Sequence, residues 1–227
     1  MPSAFGFPSR LYAILDVDVV RAQRREVLGV LDAWLDVGVR VIQLRAKTLS
    51  GGPFLLLADE AIRRSRQAGA HLIVNDRADV AVMAGADGVH VGQDDLSPSA
   101  VRRLVGEGRW VGLSTHTEAQ TGTGVGEPVT YLAIGPVFST STKHQAYGPV
   151  GLTGVRAAAD RCRPVRLPLV AIGGITLGTA PRVIAAGASA VAVIGDLLVG
   201  DAAARARAFL TAVGDYPAGA IAPPATF

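Results

Sequence analysis

Four times in this chain an amphipathic stretch closes on a glycine held between small residues. They are Val37-Gly38-Val39, Ala68-Gly69-Ala70, Ala84-Gly85-Ala86 and Ala186-Gly187-Ala188, and each precedes a short apolar run. Glycine just past a helix takes the left-handed conformation at little steric cost, so the chain can stop the helix and turn into a strand. The repeat therefore establishes βα units. It does not establish how the strands are arranged, since open doubly wound sheets use the same device. The count of units does. Short β-branched runs predict strands at Leu11–Leu15, Arg40–Leu44, His71–Val74, Gly88–Val91, Trp110–Leu113, Tyr131–Ile134, Leu169–Ile172 and Ala190–Ile194. Helical patterns alternate with them at Ala22–Asp36, Gly52–Gln67, Ala78–Ala84, Pro98–Gly106, Glu118–Val125, Gly151–Arg161, Leu177–Ala186 and Asp201–Val213. Eight alternating units point to an α/β fold, a (βα)8 TIM barrel in a single domain. Its expected bounds are residues 11–213, with residues 1–10 and the Pro/Ala/Gly-rich residues 214–227 as flexible ends.

At 227 residues, nearly half of them hydrophobic, the chain can bury one large core. The net charge of +3 hints at anionic ligands. Its arginines, including Arg63, Arg64, Arg102 and Arg103, fall on predicted helices as solvated faces. Few aromatics interleave with them, which argues against nucleic-acid binding. The single cysteine, Cys162, excludes an intrachain disulfide and disfavours a cysteine-ligated metal centre. No signal-peptide pattern and no membrane-length apolar run is present, so a cytoplasmic protein without membrane association is expected. A homo-oligomer is compatible with the sequence, which does not define its order. One count is more pointed: of 22 basic residues only Lys47 and Lys143 are lysines.

Chemistry in parallel α/β folds gathers where strands end. Asp76 follows the third predicted strand and Asp95 the loop after the fourth. Each alone reads equally well as a helix cap or a turn former. Together at neighbouring strand ends they favour a site for a hard cation such as Mg²⁺. On the second strand Gln43, Arg45 and Lys47 share one face by the period of two. One amide and two cations there suit a polyanion such as a diphosphate, though a plain barrel rim fits as well. The sixth strand leads into a long loop, Gly135 to Gly151, whose Ser139-Thr140-Ser141-Thr142-Lys143 run supplies hydroxyls, amides and a lysine for phosphate. Gly173-Gly174 after the seventh strand and Gly195 after the eighth stand where barrels often bind phosphate. His90 alternates with valines and reads as packed; His116 at a strand end reads either way. Neither has a histidine or cysteine partner at zinc spacing.

The stretches Gln43-Leu44-Arg45-Ala46-Lys47, Asn75-Asp76-Arg77-Ala78-Asp79, Gly88 through Asp95, Ser114-Thr115-His116, Gly135 through Lys143 and Ala171 through Ile175 together resemble thiamine phosphate synthase. The resemblance runs in order over roughly Leu11 to Val213. It implies a (βα)8 barrel that joins two small-molecule substrates, 4-amino-5-hydroxymethyl-2-methylpyrimidine diphosphate and a thiazole phosphate or its carboxylated form. The products are thiamine phosphate and diphosphate. It further implies Mg²⁺ on Asp76 and Asp95, and pyrimidine diphosphate on Gln43, Arg45, Lys47, Asn75, Ser114 and Lys143, with Leu44 and Ala46 alongside. Thr140, Thr142, Gly173, Ile194 and Gly195 take the thiazole phosphate, and Ser141 is a further substrate-binding residue. Arg45, Lys47, Lys143 and Ser114 are the implied catalytic group. Many relatives carry serine at the position of Gly195, and often an acid at that of Ala46. Two rivals stand beside this reading. A thiazole tautomerase-like relative would have histidine where Pro136 stands, and a non-catalytic phosphometabolite-binding barrel would need neither both aspartates nor both lysines.

The lysine count generates a test. Arginine keeps the charge of lysine but not its compact shape. Lys47→Arg and Lys143→Arg should each lower kcat/KM for the pyrimidine diphosphate without moving the melting temperature. Arg63→Lys, on a helix, should do neither. Full activity in both lysine variants would make the count a coincidence.

Overall fold

The structure, a computed structural model, describes residues 7–139 and 147–214. Eight parallel strands close on themselves in sequence order. They are β1 (Leu11–Asp16), β2 (Val41–Arg45), β3 (His71–Asn75), β4 (Gly88–Val91), β5 (Trp110–Thr115), β6 (Tyr131–Ile134), β7 (Leu169–Ile172) and β8 (Ala190–Val193). Around them lie α1 (Val17–Ala22), α2 (Val27–Asp36), α3 (Gly51–Gln67), α4 (Ala78–Met83), α5 (Pro98–Val105), α6 (Glu118–Gly124), α7 (Gly151–Cys162), α8 (Ala180–Ala185) and α9 (Ala202–Val213). The last strand returns to the first with Leu11, Tyr12 and Ala13 opposite Val191, Ala192 and Val193.

The four glycines of the repeat do what their positions demand: Gly38, Gly69, Gly85 and Gly187 take φ of 95°, 67°, 70° and 110°. The helix expected over Ala22–Asp36 is instead two. The Asp16 carboxylate accepts the Asp18 and Val19 N–H groups at 3.1 Å each, which starts α1 directly off the end of β1. Arg24 then takes φ 57°, and Glu26 recaps the chain by accepting the Leu28 N–H at 3.1 Å. Before α8 the chain expected as helix from Leu177 is a turn, in which Thr179 Oγ1 accepts the Thr176 N–H at 2.9 Å. The helix-borne arginines are not all solvated decoration. Arg102 donates to the Gly106, Arg109 and Pro128 carbonyls at 2.8, 2.7 and 3.2 Å, clamping α5 onto the chain entering β5 and β6.

Period-two alternation splits the core into two layers. Leu11, Ala13 and Leu15 of β1, like Leu44, Val74 and Val111 elsewhere, pack outward against the helices. Tyr12, Ile14, Val41, Ile73, Tyr131, Val170 and Ala190 fill the barrel interior. Phe7 joins this inner layer. Its ring is 2% exposed and lies 5.5, 5.8 and 5.3 Å from those of Tyr12, Trp110 and Tyr131, centroid to centroid. Packed structure thus begins before the boundary expected at Leu11, and Phe7 stoppers the N-terminal end of the barrel.

The helix-closing glycines separate two costs. At Gly38 nothing lies within 4 Å of where a Cβ would stand, whereas at Gly187 it would meet the Ala159 Cβ at 2.8 Å. Gly38→Ala should lose about 1 kcal/mol from backbone strain alone. Gly187→Ala should lose at least about 2 kcal/mol, because overpacking adds to strain. Urea unfolding of both variants measures the difference.

Candidate active site

Closure brings every strand's C-terminal end to one mouth, and the inward residues there sort by strand. Gln43 and Arg45 of β2, Asn75 of β3, His90 of β4 and Ser114 of β5 line one half of a cavity. Ile14, Ala133, Val170, Ile172, Ala192 and Ile194 line the other. The cavity therefore has a polar wall facing an apolar one.

The polar wall is electrostatically prearranged. Arg45 is ion-paired with Asp16, which is 2% exposed and already caps α1. Asp16 thus holds the guanidinium from below. Lys47, with half its side chain exposed, pairs with Asp76 across the next strand end. Asp76 sits at φ 62°, a left-handed conformation that Asp and Asn tolerate better than other side-chain-bearing residues. Its N–H donates to the His90 carbonyl at 2.7 Å, which tethers the turn to β4. Burial pushes the Asp76 carboxyl above the usual range; Lys47 opposes that, and Asp95, within hydrogen-bonding reach, adds to it. Asp95 reaches this point from the loop after β4, where its Oδ2 accepts the Gly92 N–H at 2.8 Å. Two carboxylates and a lysine thus share one corner of the mouth, a charge arrangement that a cation would relieve.

Opposite, the chain leaving β6 is stitched to β7: Val137 and Phe138 donate to the Ile172 and Gly173 carbonyls at 2.9 and 3.0 Å. Gly173 and Gly174 take φ 101° and 63°, and a Cβ on either would run into Pro136 or Phe138. Ile194 ends at the cavity wall, and Gly195 opens a 3-10 turn, Gly195–Leu198. Asp196 ties the β7 and β8 loops together, accepting from the Leu177 N–H at 2.9 Å and from Arg205 at 2.6 Å.

Of the residues expected from sequence, Gln43, Arg45, Asn75, Ser114 and Ile194 line one cavity, and Lys47, Asp76 and Asp95 meet at its rim. Leu44 and Ala46, which alternate with Gln43, Arg45 and Lys47, have their side chains buried in the outer layer against the helices. Thr140, Ser141, Thr142 and Lys143 lie outside the described residues. His116 is tied to the β6 loop, with Nδ1 2.6 Å from the Gly135 carbonyl and its ring stacked on Tyr147. Asp16, Tyr12 and Tyr131 were missed. Asp16 carried a signal, an acid closing an apolar strand as Asp76 does; each tyrosine carried another, a polar tip in an aliphatic run.

Comparison with known proteins bears on this arrangement. The sequence model for thiamine monophosphate synthase matches residues 11–197. A thiamine-phosphate synthase of Chloroflexus aurantiacus is 40% identical over 207 residues, covering 90% of this chain and 93% of that protein. One from Koribacter versatilis is 44% identical over 218 residues, covering 92% and 98%. Among solved structures, the thiamine phosphate pyrophosphorylase of Pyrococcus furiosus superposes with TM-score 0.79 at 26% identity, covering 90% of this chain and 95% of that one.

The acids of this mouth differ in what they do for the fold. Asp16→Asn keeps a residue that can cap α1 but removes one partner of a buried ion pair, and should cost at least about 2 kcal/mol. Asp76→Asn keeps a residue suited to left-handed backbone while removing a crowded, part-buried charge. Its stability without added metal should be unchanged or higher. Urea denaturation in the presence of a chelator reads both; a large loss in Asp76→Asn would contradict the charge crowding.

Proposed function

The chain belongs to the thiamine monophosphate synthase family, and on that premise we infer that it is a thiamine phosphate synthase. It joins the aminopyrimidinylmethyl group of a pyrimidine diphosphate to the nitrogen of a thiazole phosphate, releasing diphosphate. The observation that carries this reading is the corner where Lys47, Asp76 and Asp95 meet beside Arg45. It concentrates cationic and metal-binding groups where a polyanionic leaving group needs them.

The donor set suits the expected metal. Asp76 and Asp95 supply two carboxylates, and among the described residues no histidine, cysteine or further acid completes a three-ligand cluster. Mg²⁺ is commonly held in that way, by one or two carboxylates with water and substrate phosphate completing its shell. When bound, it supplies Lewis-acid neutralisation of the leaving diphosphate.

The remaining work falls to the chain. Arg45 offers a guanidinium already oriented by Asp16, so little entropy is lost on binding the diphosphate. Lys47 exchanges its internal partner for substrate oxygen. Gln43, Asn75 and Ser114 orient the pyrimidine diphosphate, with Lys143 meeting it from the loop after β6. The bond from the methylene carbon to the diphosphate oxygen breaks with its electron pair leaving on oxygen, and the aminopyrimidine delocalises the positive charge left on carbon. The apolar wall of Ile14, Ala133, Val170, Ile172, Ala192 and Ile194 keeps water from that cation. The thiazole nitrogen then donates its lone pair to the carbon. Gly173, Ile194 and Gly195, with Thr140 and Thr142, hold the thiazole phosphate. No protein nucleophile and no strong general base is called for. A biosynthetic activity on free metabolites suits the cytoplasm.

Asp76→Ala and Asp95→Ala should each cut turnover at least about a hundredfold, a barrier increase near 2.7 kcal/mol. Asp94→Ala should do less, since the resemblance puts the ligand at Asp95, and Asp95 is the carboxylate within hydrogen-bonding reach of Asp76. The assay is thiamine phosphate formation from purified substrates with and without Mg²⁺. Near-normal Mg²⁺-dependent turnover in Asp76→Ala would sink the metal assignment.

A further inference from the structure

A hydrogen-bonded chain links Gln43 and Ser114 of the ligand-binding wall through Tyr12, Tyr131 and His90, three side chains to which the mechanism above gives no role. Gln43 Nε2 donates to the Tyr12 hydroxyl at 3.0 Å, and the Tyr12 and Tyr131 hydroxyls lie 2.9 Å apart. The Tyr131 hydroxyl lies 2.9 Å from His90 Nδ1, and His90 Nε2 lies 2.8 Å from Ser114 Oγ. The His90 and Tyr131 rings stack with centroids 5.5 Å apart. They pass over Gly112, where a Cβ would overlap the Tyr131 hydroxyl and His90 Nδ1, so this crossing requires glycine.

Counting protons gives the chain a direction. With the Gln43 amide turned so that Nε2 donates to Tyr12, the one proton on Tyr12 goes, among the described residues, to the Tyr131 oxygen. Tyr131, accepting there, sends its own proton to His90 Nδ1. That nitrogen must therefore be the acceptor, which puts the imidazole proton on Nε2, aimed at Ser114 Oγ. Ser114 then accepts from below, and its hydroxyl hydrogen is left for the cavity. Burial pushes both tyrosine hydroxyls well above their ordinary range, so each keeps the proton this count requires.

We propose that Tyr12, Tyr131 and His90 are positioning residues that keep the Ser114 hydroxyl hydrogen turned to the cavity, as a donor to a lone-pair acceptor on the pyrimidine diphosphate. The recognised group is an unprotonated ring nitrogen or a phosphate oxygen. With an N–H on His90 Nε2 the hydroxyl cannot spend its hydrogen on the imidazole, so that hydrogen is kept for the substrate before the substrate arrives. That pre-commitment lowers the cost of ordering the site.

The identity of the ligand rests on the synthase reading, but the direction of the chain does not, so the two are tested separately. In the ligand-free wild-type protein, 15N-edited NMR of the His90 ring should show the neutral tautomer protonated at Nε2. Protonation at Nδ1, or at both nitrogens near neutral pH, would overturn the proposal whatever the enzyme's activity. In Tyr131→Phe the constraint on Nδ1 is lost. KM for the pyrimidine diphosphate should rise about tenfold, the worth of one hydrogen bond to a charged or buried partner, while KM for the thiazole phosphate stays as it was. Tyr12→Phe, one link further from the ligand, should move the same KM in the same direction by less, and serves if Tyr131→Phe does not fold. Adding either change to Ser114→Ala should have no further effect on that KM. Inhibition by inorganic diphosphate distinguishes the acceptors: it weakens in Tyr131→Phe if Ser114 donates to a phosphate oxygen and is unchanged if it donates to the ring. Unaltered KM in both tyrosine variants, or equal rises in both substrates' KM, would make the chain structural only.

Discussion

Everything at the mouth depends on the pairing of β8 with β1, which turns a row of strands into a closed wall. In an open sheet the two edges would lie far apart, and alternate side chains would face two separate helical layers. Closed, the sheet gives half of those side chains a shared interior that no helix covers. Tyr12 and Tyr131 meet there although 119 residues separate them. The same closure turns eight strand ends toward one another, so residues from β2, β3, β4 and β5 line a single polar wall. Two layers are thereby divided along each strand: the outward residue packs against a helix, and its inward neighbour fills the barrel or, near the strand end, lines the mouth.

The rim shows two kinds of ion pair. Arg45 with Asp16 is fixed, since Asp16 is buried and committed to the helix cap as well. Lys47 with Asp76 is exchangeable, since the lysine is half exposed and its partner is crowded by a second carboxylate. One pair sets a geometry. The other keeps opposite charges matched at a place where, on the proposed reading, a phosphate and a cation take over from them.

Much of this was legible in the sequence because the signals are local. Short β-branched runs mark strands, and glycine between small residues marks the end of a helix whichever partner the strand later finds. Arg45, Asp76 and Asp95 could be placed because a strand's end is itself a local feature. The break between α1 and α2 was not legible, for Arg24 takes a left-handed conformation with no glycine or asparagine to announce it. Leu44 and Ala46 belong to the same contiguous motif but face the outer layer, as the period of two requires of the residues between Gln43, Arg45 and Lys47. The tyrosine–histidine chain lay beyond reach for another reason. Its links join β1, β2, β4, β5 and β6, and only the register of the closed barrel brings them within bonding distance.

Phe7 gives the barrel a floor. With its ring wedged among Tyr12, Trp110 and Tyr131, it completes an interior that Ile14, Val41, Ile73, Val170 and Ala190 already fill, so the cavity at the mouth has a floor as well as walls. A cup of that kind imposes a sequence on whatever stacks inside it. Of two molecules lying one above the other, the deeper enters first and leaves last. An order of binding and release can therefore follow from how the far end of the barrel is packed.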